Sequence, residues 1–294
     1  MKARNVLAYA QAAGAAVLWG TVGVAGALTR PAVSPFVLAW ARLSLGGVLL
    51  AVLVGPRRLS RVAGTLGGSN VALAALFMAV FQGSFFVAAM DLGAGPATVI
   101  SVAAAPATSL LGAWRNCQAS SPARPVFGLA LAIAVAGLSI ASISVSGLCG
   151  AGWAIASGAA YAGFARAVAL CDTHPRDGLA AVVIALLGGA LAVTPVAAPQ
   201  IAQICSLRNA FLGAYLGVVA TALAYAWFAA ALAVLGRTVA LATLVGQPVA
   251  AALLAWRLFG EPVGWHTLAA LAIAGLLSAW LAISGRPRPD PRHF

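Results

Sequence analysis

One arginine lies well inside a hydrophobic stretch of this 294-residue chain. Arg42 falls in the apolar stretch at 35–54, and a charged side chain at membrane depth is costly and is by default a functional candidate. Its planar guanidinium can hold a substrate carboxylate through two parallel hydrogen bonds. Two structural alternatives stay open: the side chain reaches the outer lipid headgroups, or it ties helices together through backbone carbonyls.

Two amides, Gln82 and Gln247, lie inside other hydrophobic stretches. An unpaired amide in hydrocarbon costs several kcal/mol, so each is expected to bond another helix or to face a solute. Gln247 is followed by Pro248, and the stretch at 94–114 carries Pro106. Proline removes a helical hydrogen bond, and such a break is expected to face protein or a water-filled cavity. We therefore predict Gln82 and Gln247 as substrate-binding residues, and Pro106 and Pro248 as helix breaks used in gating.

Aromatic residues within the hydrophobic stretches form a third candidate group. Trp19, Tyr161 and Tyr225 lie inside these stretches rather than at clear ends, and aromatic walls suit apolar or cationic solutes. We predict that they line a substrate cavity, with Trp19 and Tyr161 on opposing sides. The alternative is ordinary packing between helices.

Acidic residues are few, and none lies in the middle of a hydrophobic stretch. Proton-coupled carriers commonly use a carboxylate within the membrane, and here Asp91 and Glu261, both at predicted outer helix ends, come nearest to that position. Glu261 is expected instead to pair with Arg257 or to cap local structure. The three histidines and four cysteines show no metal-ligand spacing, and no Ser/His/Asp arrangement, phosphate loop or HExxH motif occurs. We therefore expect no metal, no cofactor and no enzymatic activity.

The elements that must hold these residues are hydrophobic helices. The chain is 63% hydrophobic and 7% charged, with a mean hydropathy of +1.01, whereas a soluble domain carries about 25% charged residues. A helix of about 20 apolar residues crosses the hydrocarbon core. Ten such stretches occur, at approximately 8–28, 35–54, 70–90, 94–114, 126–145, 150–170, 178–197, 210–234, 237–257 and 264–284. The sequence predicts an all-α membrane protein of ten transmembrane helices, with the basic run Pro56–Arg61 in a loop.

The net charge of +12 is explained by topology rather than by nucleic-acid binding. With the N-terminus in the cytoplasm, most of the 17 basic residues fall on the inner side, while the outer side holds Arg30, Arg208 and Arg257. This bias satisfies the positive-inside rule. The sequence therefore predicts a multi-pass protein of the cell (inner) membrane with both termini cytoplasmic. Its expected partners are the lipid bilayer and a small-molecule substrate, without nucleic acid, and it is expected to act as a monomer.

An internal repeat divides the predicted spans into two sets of five. At a constant spacing of 142 residues, Trp19 pairs with Tyr161 and Pro106 with Pro248, and other pairs follow at the same spacing: Gly46 with Gly188, Phe86 with Phe228 and Trp114 with Trp256. An odd number of spans places the second copy in the opposite orientation, so the substrate site is expected between two inverted halves. The predicted units are residues 1–146, residues 147–284 and a short basic cytoplasmic tail at 285–294.

The sequence resembles the EamA-type branch of the drug/metabolite transporter superfamily over nearly its whole length. The resemblance rests on four stretches: AAVLWGTVGVAG in the first span, ARLSLGG in the second, TALAYAWFAAAL in the eighth, and QPVAAALLAWRLFGEPVGWHTLAALAIAG across the ninth and tenth. The first half departs from the pattern, because WRNCQASSPARP replaces the Gly-Glu pair expected after the fourth span. The resemblance implies ten helices around a central cavity, and export or exchange of small metabolites, often amino acids.

The function predicted from these observations is transport of a small organic metabolite by alternating access. An amino acid or a related solute is the best specific prediction, by export or exchange. The lack of a carboxylate inside a span favours facilitated diffusion or exchange over proton antiport. An alternative is an efflux carrier for amphipathic or cationic compounds, which the aromatic residues favour and Arg42 disfavours. A lipid-modifying enzyme would require His or acidic clusters, and a non-transporting scaffold has little use for a buried arginine.

Overall fold

The computed structural model describes residues 2–115, 147–168, 175–236 and 246–261, together with 264–265, 268–269 and 272–273. Over these residues the regular elements are helices, and no β-strand occurs among them. The eight described helices are α1 (Lys2–Ala27), α2 (Pro35–Val54), α3 (Pro56–Leu92), α4 (Ala94–Arg115), α5 (Leu148–Ala167), α6 (Pro175–Ala197), α7 (Leu207–Leu235) and α8 (Gly246–Phe259). A 3₁₀ segment, Ala198–Ile204, follows α6.

Six of the described helical segments are long and apolar enough to cross a membrane by length and composition. Each overlaps one of the predicted spans, and α2 occupies the predicted 35–54, whereas the segments 56–92 and 176–204 extend well beyond the predicted 70–90 and 178–197. Over the described residues, the prediction of an all-helical protein with several helices of membrane-spanning length is therefore confirmed. The fifth predicted span at 126–145, the start of the ninth at 237–257 and most of the tenth at 264–284 lie outside the described residues, so the count of ten stays a prediction, as does the division at residue 146.

A glycine with positive φ and a proline at the first helical position form the corner between α2 and α3. Gly55 ends α2 at φ 84°, a left-handed conformation that favours glycine. Pro56 then opens α3 at its first position, where the missing N–H is not needed by the helix. Pro35 opens α2 in the same way, after Ser34.

The third helix is longer than the sequence predicts. The basic run Pro56–Arg61 was expected in a loop, but it begins a helical segment that a kink at Gly67, with φ 73° and ψ 158°, separates from the rest of α3. Charged side chains near the end of a helix can extend into headgroups and water while their backbone stays helical. Apolar content therefore identifies the part of α3 that lies in hydrocarbon and misses the part that leaves it.

The first helix of each predicted half packs against the other half. α1 contacts α7 and α8, whereas α5 contacts α3 and α4. α2 and α6 pack against each other. In addition, α2 packs against α7, and α6 packs against α3. The core at this crossing contains large, fully buried side chains, among them Leu38, Leu43, Met78, Phe86 and Leu186. The helices that carry Arg42, Gln82 and Tyr225 therefore meet in the middle of the described bundle.

Candidate functional site

The predicted residues Arg42 and Gln82 lie in direct contact in the protein interior. Only 4% of Arg42 and 0% of Gln82 are exposed. Arg42 Nη1 donates to Gln82 Oε1 at 2.7 Å, and Arg42 Nε donates to Thr221 Oγ1 at 2.8 Å. The guanidinium of α2 is thus shared between α3 and α7. This position excludes the alternative in which Arg42 extends to the headgroups.

Thr221 reaches Arg42 because α7 is locally widened and closely packed against α2. Residues Tyr215–Leu223 form a π-helical segment, and the Thr221 hydroxyl donates to the Leu216 carbonyl at 2.8 Å. The Thr221 side chain also lies against Gly46, where a Cβ atom would clash with it. The sequence analysis missed Thr221, because a π-helical segment has no simple sequence signal. Such segments often mark functional sites.

The described partners of Arg42 are all neutral. The three acidic residues in the described part of the chain are engaged or placed elsewhere. Asp177 forms ion pairs with Arg58 and Arg61, Glu261 binds the first turn of α4, and Asp91 is exposed near the end of α3. A buried cation without a counter-ion is strongly unfavourable. Arg42 is therefore suited to bind an anion.

Aromatic residues adjoin this polar contact. The Trp19 ring packs edge-on against Tyr225 and Phe228, with ring centroids 5.1 and 5.3 Å apart. Tyr225 lies one helical turn after Thr221, the α7 residue that accepts a hydrogen bond from Arg42. The Trp19 Nε1 atom is buried and has no acceptor in the described part of the chain. The structure thus brings Trp19, Tyr225, Arg42 and Gln82 into one region, which includes an indole donor without a partner.

Tyr161 belongs to a second aromatic group. Its ring lies 5.2 Å from Phe81 and 5.9 Å from Phe164, and it packs against the main hydrophobic core. This environment fits the packing alternative as well as the cavity. The opposition of Trp19 and Tyr161 across a cavity stays a prediction.

The two prolines have different surroundings. Pro248 is buried in the first turn of α8, and the residues before Gly246, where an interruption would show, lie outside the described part. Pro106 lies within α4, which continues as a helix to Arg115, so this proline does not divide α4 into two helices. The side chain of Pro106 lies outside the described residues.

Gln247 contributes its backbone to a close helix contact. Its side chain is half-buried and forms no hydrogen bond within the described residues. Its carbonyl oxygen faces Gly20 of α1, where a Cβ atom would lie only 2.6 Å away, with Ala250 Cβ at 2.8 Å and Ala251 N at 3.1 Å. Glycine is required here because the backbones of α1 and α8 approach so closely. The role of the Gln247 amide as a solute contact stays a prediction.

A matching contact joins α5 to α4. A Cβ atom at Gly158 would clash with the Ser101 carbonyl oxygen, and would lie 2.6 Å from Ala104 Cβ and 2.9 Å from Ala105 N. These are the same three kinds of atom that surround Gly20. The match aligns Gly20 with Gly158, and Gln247 with Ser101. Each alignment differs by one helical turn from the 142-residue spacing that pairs Trp19 with Tyr161 and Pro106 with Pro248.

Glu261 joins two helices that are distant in the sequence. Its carboxylate accepts hydrogen bonds from Ala94 N at 3.1 Å and Gly95 N at 3.3 Å, which places a negative charge at the N-terminus of α4. Of the two expectations for Glu261, the pairing with Arg257 is not found among the described residues, because the chain leaves α8 after Phe259. The capping role is found, although the capped helix, α4, is distant in the sequence. Among the described residues, no three His, Cys, Asp or Glu side chains gather where they could hold a metal.

Comparison with known proteins finds a curated relative and several solved structures of similar fold, one of which is described below. The uncharacterized transporter YwfM of Bacillus subtilis (strain 168) is 30% identical over 286 residues, which cover 93% of this chain and 92% of that protein. A solved structure described as "Crystal structure of protein" matches with a TM-score of 0.60 at 16% identity, covering 97% of this chain and 99% of that chain. The second likeness concerns the fold alone. No model of a protein family matches the chain.

Proposed function

Since the chain belongs to the family of membrane transporters that includes the uncharacterized transporter YwfM, we propose that it carries a small carboxylate-bearing metabolite across the cell membrane. The best specific candidate is an amino acid or a related solute, moved by export or exchange. We place the chain in the EamA-type branch on the sequence resemblance described above. In this proposal, the protein acts as a monomer in the inner membrane, with both termini in the cytoplasm.

The observation that carries this proposal is the buried Arg42 with neutral partners. Its hydrogen bonds to Gln82 and Thr221 satisfy two of the five guanidinium N–H donors and leave the positive charge uncompensated. A solute carboxylate would supply both the charge and the planar pair of acceptors. In this proposal, Gln82 occupies the place of the carboxylate in the solute-free protein and is displaced when the solute binds.

The remaining candidate residues would contact the rest of the solute. The buried Nε1 of Trp19 offers a donor, Gln247 offers an amide, and Tyr225 offers an aromatic face beside Arg42. Tyr161 would line the cavity on the side of α5. A polar head held by Arg42 and an aromatic wall beside it suit a small zwitterion or acid with an apolar side chain.

The transport mechanism that we propose is alternating access between two inverted halves, 1–146 and 147–284, in a frame of ten helices. The matching contacts at Gly20 and Gly158 support it, as does the reciprocal packing of α1 and α5. Pro106 and Pro248 would weaken the hydrogen bonding of their helices and act in gating. No acidic residue of the described helices lies near Arg42, so we favour facilitated diffusion or exchange over proton antiport.

The experiment is a binding screen that varies one group at a time. Purified protein is tested by thermal shift and calorimetry against an amino acid, its amide and the amine that lacks the carboxyl group, with nucleosides and sugars in parallel. A ligand of the folded form raises the melting temperature. We expect the amino acid, which bears the carboxylate, to raise the melting temperature, and the other compounds to leave it unchanged. Stabilisation by the amine but not by the amino acid would instead indicate the alternative, an efflux carrier for cationic compounds.

Two variants connect the screen to the site. Arg42→Gln removes the charge, and a lost hydrogen bond to a charged group, at about 1.5–3 kcal/mol, corresponds to about 10- to 150-fold weaker carboxylate binding. Arg257→Gln changes an exposed arginine at the end of α8 and should leave binding unchanged. Equal binding by both variants would overturn the role of Arg42. Counterflow in proteoliposomes then tests transport, and efflux that stops on addition of a protonophore would contradict the proposal of uncoupled transport.

A further inference from the structure

A cavity of about 720 Å³ opens at the corner where α2 ends and both α3 and α6 begin. Three arginines, Arg57, Arg58 and Arg176, lie on its wall, together with apolar residues that include Leu53 and Leu179. The site that contains Arg42 lies elsewhere, in the middle of the bundle. This second cavity combines positive charge with apolar surface at one end of the membrane-spanning helices.

The charges around the cavity are only partly balanced. Asp177 is the one described acid at this corner, and it pairs with both Arg58 at 3.4 Å and Arg61 at 3.1 Å. Arg57 is exposed, and no described residue pairs with it. Among the described residues, one carboxylate thus accompanies Arg57, Arg58 and Arg61, and this excess of guanidinium groups favours an anionic ligand.

Backbone groups strengthen the preference for an anion. The first turn of α3 is preceded by Gly55, which provides no side-chain cap, so the free N–H groups of that turn receive no acceptor from a capping side chain. The first turn of α6 begins at the same corner. Helix N-termini carry partial positive charge, and here they accompany the arginine side chains around a single cavity.

An exposed apolar strip on α2 leads from the bundle to this cavity. Val48, Val52 and Leu53 are 55%, 77% and 70% exposed, and they lie on the last turns of α2 before Gly55. Because α2 is long and apolar enough to cross the membrane, we expect this strip to face acyl chains and the arginines that follow it to lie near the phosphates. We propose that the cavity is a binding site for an anionic phospholipid, with its phosphate among Arg57, Arg58 and Arg176 and an acyl chain along α2.

A lipid fits these observations better than a soluble anion does. A free phosphate would use the arginines but would gain nothing from Leu53 and Leu179. Basic pockets between membrane helices are suited to anionic headgroups. The proposal concerns a lipid and does not depend on which solute the protein carries.

The test uses the delipidated, detergent-solubilised protein and four ligands: phosphatidylglycerol, phosphatidylcholine, inorganic phosphate and glycerol phosphate. Native mass spectrometry counts bound lipid, and thermal shift reports binding of all four. We expect phosphatidylglycerol to bind and raise the melting temperature, whereas phosphatidylcholine and the two soluble phosphates should not. In Arg57→Gln, binding of phosphatidylglycerol should weaken about fivefold, the contribution of one arginine near an anionic surface. Arg57 pairs with no described residue, so the variant is expected to fold.

Two matched variants separate the headgroup from general charge effects. Arg57→Lys keeps the charge and should retain most of the binding, and Arg257→Gln, at the opposite end of the bundle, should bind like the unchanged protein. Equal binding of phosphatidylcholine would overturn the proposal, and so would an undiminished affinity in Arg57→Gln. Stabilisation by inorganic phosphate as strong as that by phosphatidylglycerol would identify a soluble anion site instead.

Discussion

Arg42 of α2 is held by an amide of α3, since its Nη1 atom lies 2.7 Å from Gln82 Oε1. A buried positive charge with a neutral partner destabilises the protein in which it occurs. The contact therefore makes a prediction about stability that is separate from the binding of any solute.

Replacing the pair with apolar side chains should not destabilise the solute-free protein. The free energy of unfolding of the double variant Arg42→Met and Gln82→Leu is expected to equal or exceed that of the unchanged protein, by up to about 4 kcal/mol. Thermal and denaturant unfolding in detergent measure this, and Arg257→Met is the control for an exposed arginine. A clear loss of stability in the double variant would show that Arg42 serves to tie helices together, and the carboxylate proposal would lose its main support.

Trp19→Phe should separate recognition from packing. The new ring can keep the contacts with Tyr225 and Phe228, and the lost Nε1–H had no described acceptor. We expect stability to be little changed and affinity for the solute to fall about five- to tenfold, the value of one hydrogen bond. In the matched control Trp40→Phe, the lost Nε1–H donates to Thr194 at 3.1 Å. That variant should lose stability and keep its affinity, and the reverse pattern would exclude Trp19 as a ligand of the solute.

Gly20→Ala should disturb the contact between α1 and α8. The added methyl group would lie 2.6 Å from the Gln247 carbonyl oxygen, and crowding of this kind costs about 1–3 kcal/mol. Gly158→Ala should have a similar effect on α5 and α4. Gly64→Ala is the control, because a Cβ atom there meets nothing within 4 Å, and the free energy of unfolding should be unchanged or higher. Unaltered melting temperatures in both of the first two variants would show that these contacts relax without loss.

Glu261→Gln should weaken the link between α4 and the end of α8. The amide keeps one acceptor oxygen but loses the charge that faces Ala94 N and Gly95 N. We expect a loss of about 1–2 kcal/mol in the free energy of unfolding. Asp91→Asn, which changes an exposed acid one turn away from α4, should be nearly neutral. If the two variants behave alike, the capping contact contributes little.

Native cysteines test the proposed topology. With the N-terminus in the cytoplasm, Cys149 and Cys205 fall on the outer side and are exposed, while Cys117 and Cys171 fall on the inner side. In single-cysteine variants, a membrane-impermeant maleimide added to intact cells should label the first pair alone, and the second pair should react after the membrane is opened. Labelling in the opposite order would reverse the orientation.

The helices were predictable because the bilayer fixes their length. The apolar stretch at 35–54 gives α2 from end to end, since Pro35 and Gly55 punctuate it. The start of α3 was missed because the arginines after Pro56 lie outside the hydrocarbon, where charge and helix are compatible. Hydropathy therefore identifies the spans and says little about where helices continue beyond them.

The candidate site was predictable only where a residue is unusual for its surroundings. Arg42 and Gln82 are such residues, and hydropathy alone singles them out. Thr221 is common in membrane helices, and its role depends on a local widening of α7 that depends on packing. Glu261 bonds a helix that begins 167 residues earlier in the sequence, and no local spacing indicates such a contact. The matching of Gly20 with Gly158 likewise depends on which helix backbones are in contact, whereas the 142-residue spacing reflects only similar residues in the sequence.

The packing of α1 has a consequence for biosynthesis. Its neighbours α7 and α8 leave the ribosome only after most of the chain has been made, and at about 5–20 residues per second this takes on the order of ten seconds or more. Until then α1 must persist in the bilayer without the helices that will cover its Gly20 face. α5 emerges when α3 and α4 have already been made, so it can dock at once. α1 and α5 make matching contacts in the finished protein. However, α1 is made before its partners, whereas α5 is made after its own.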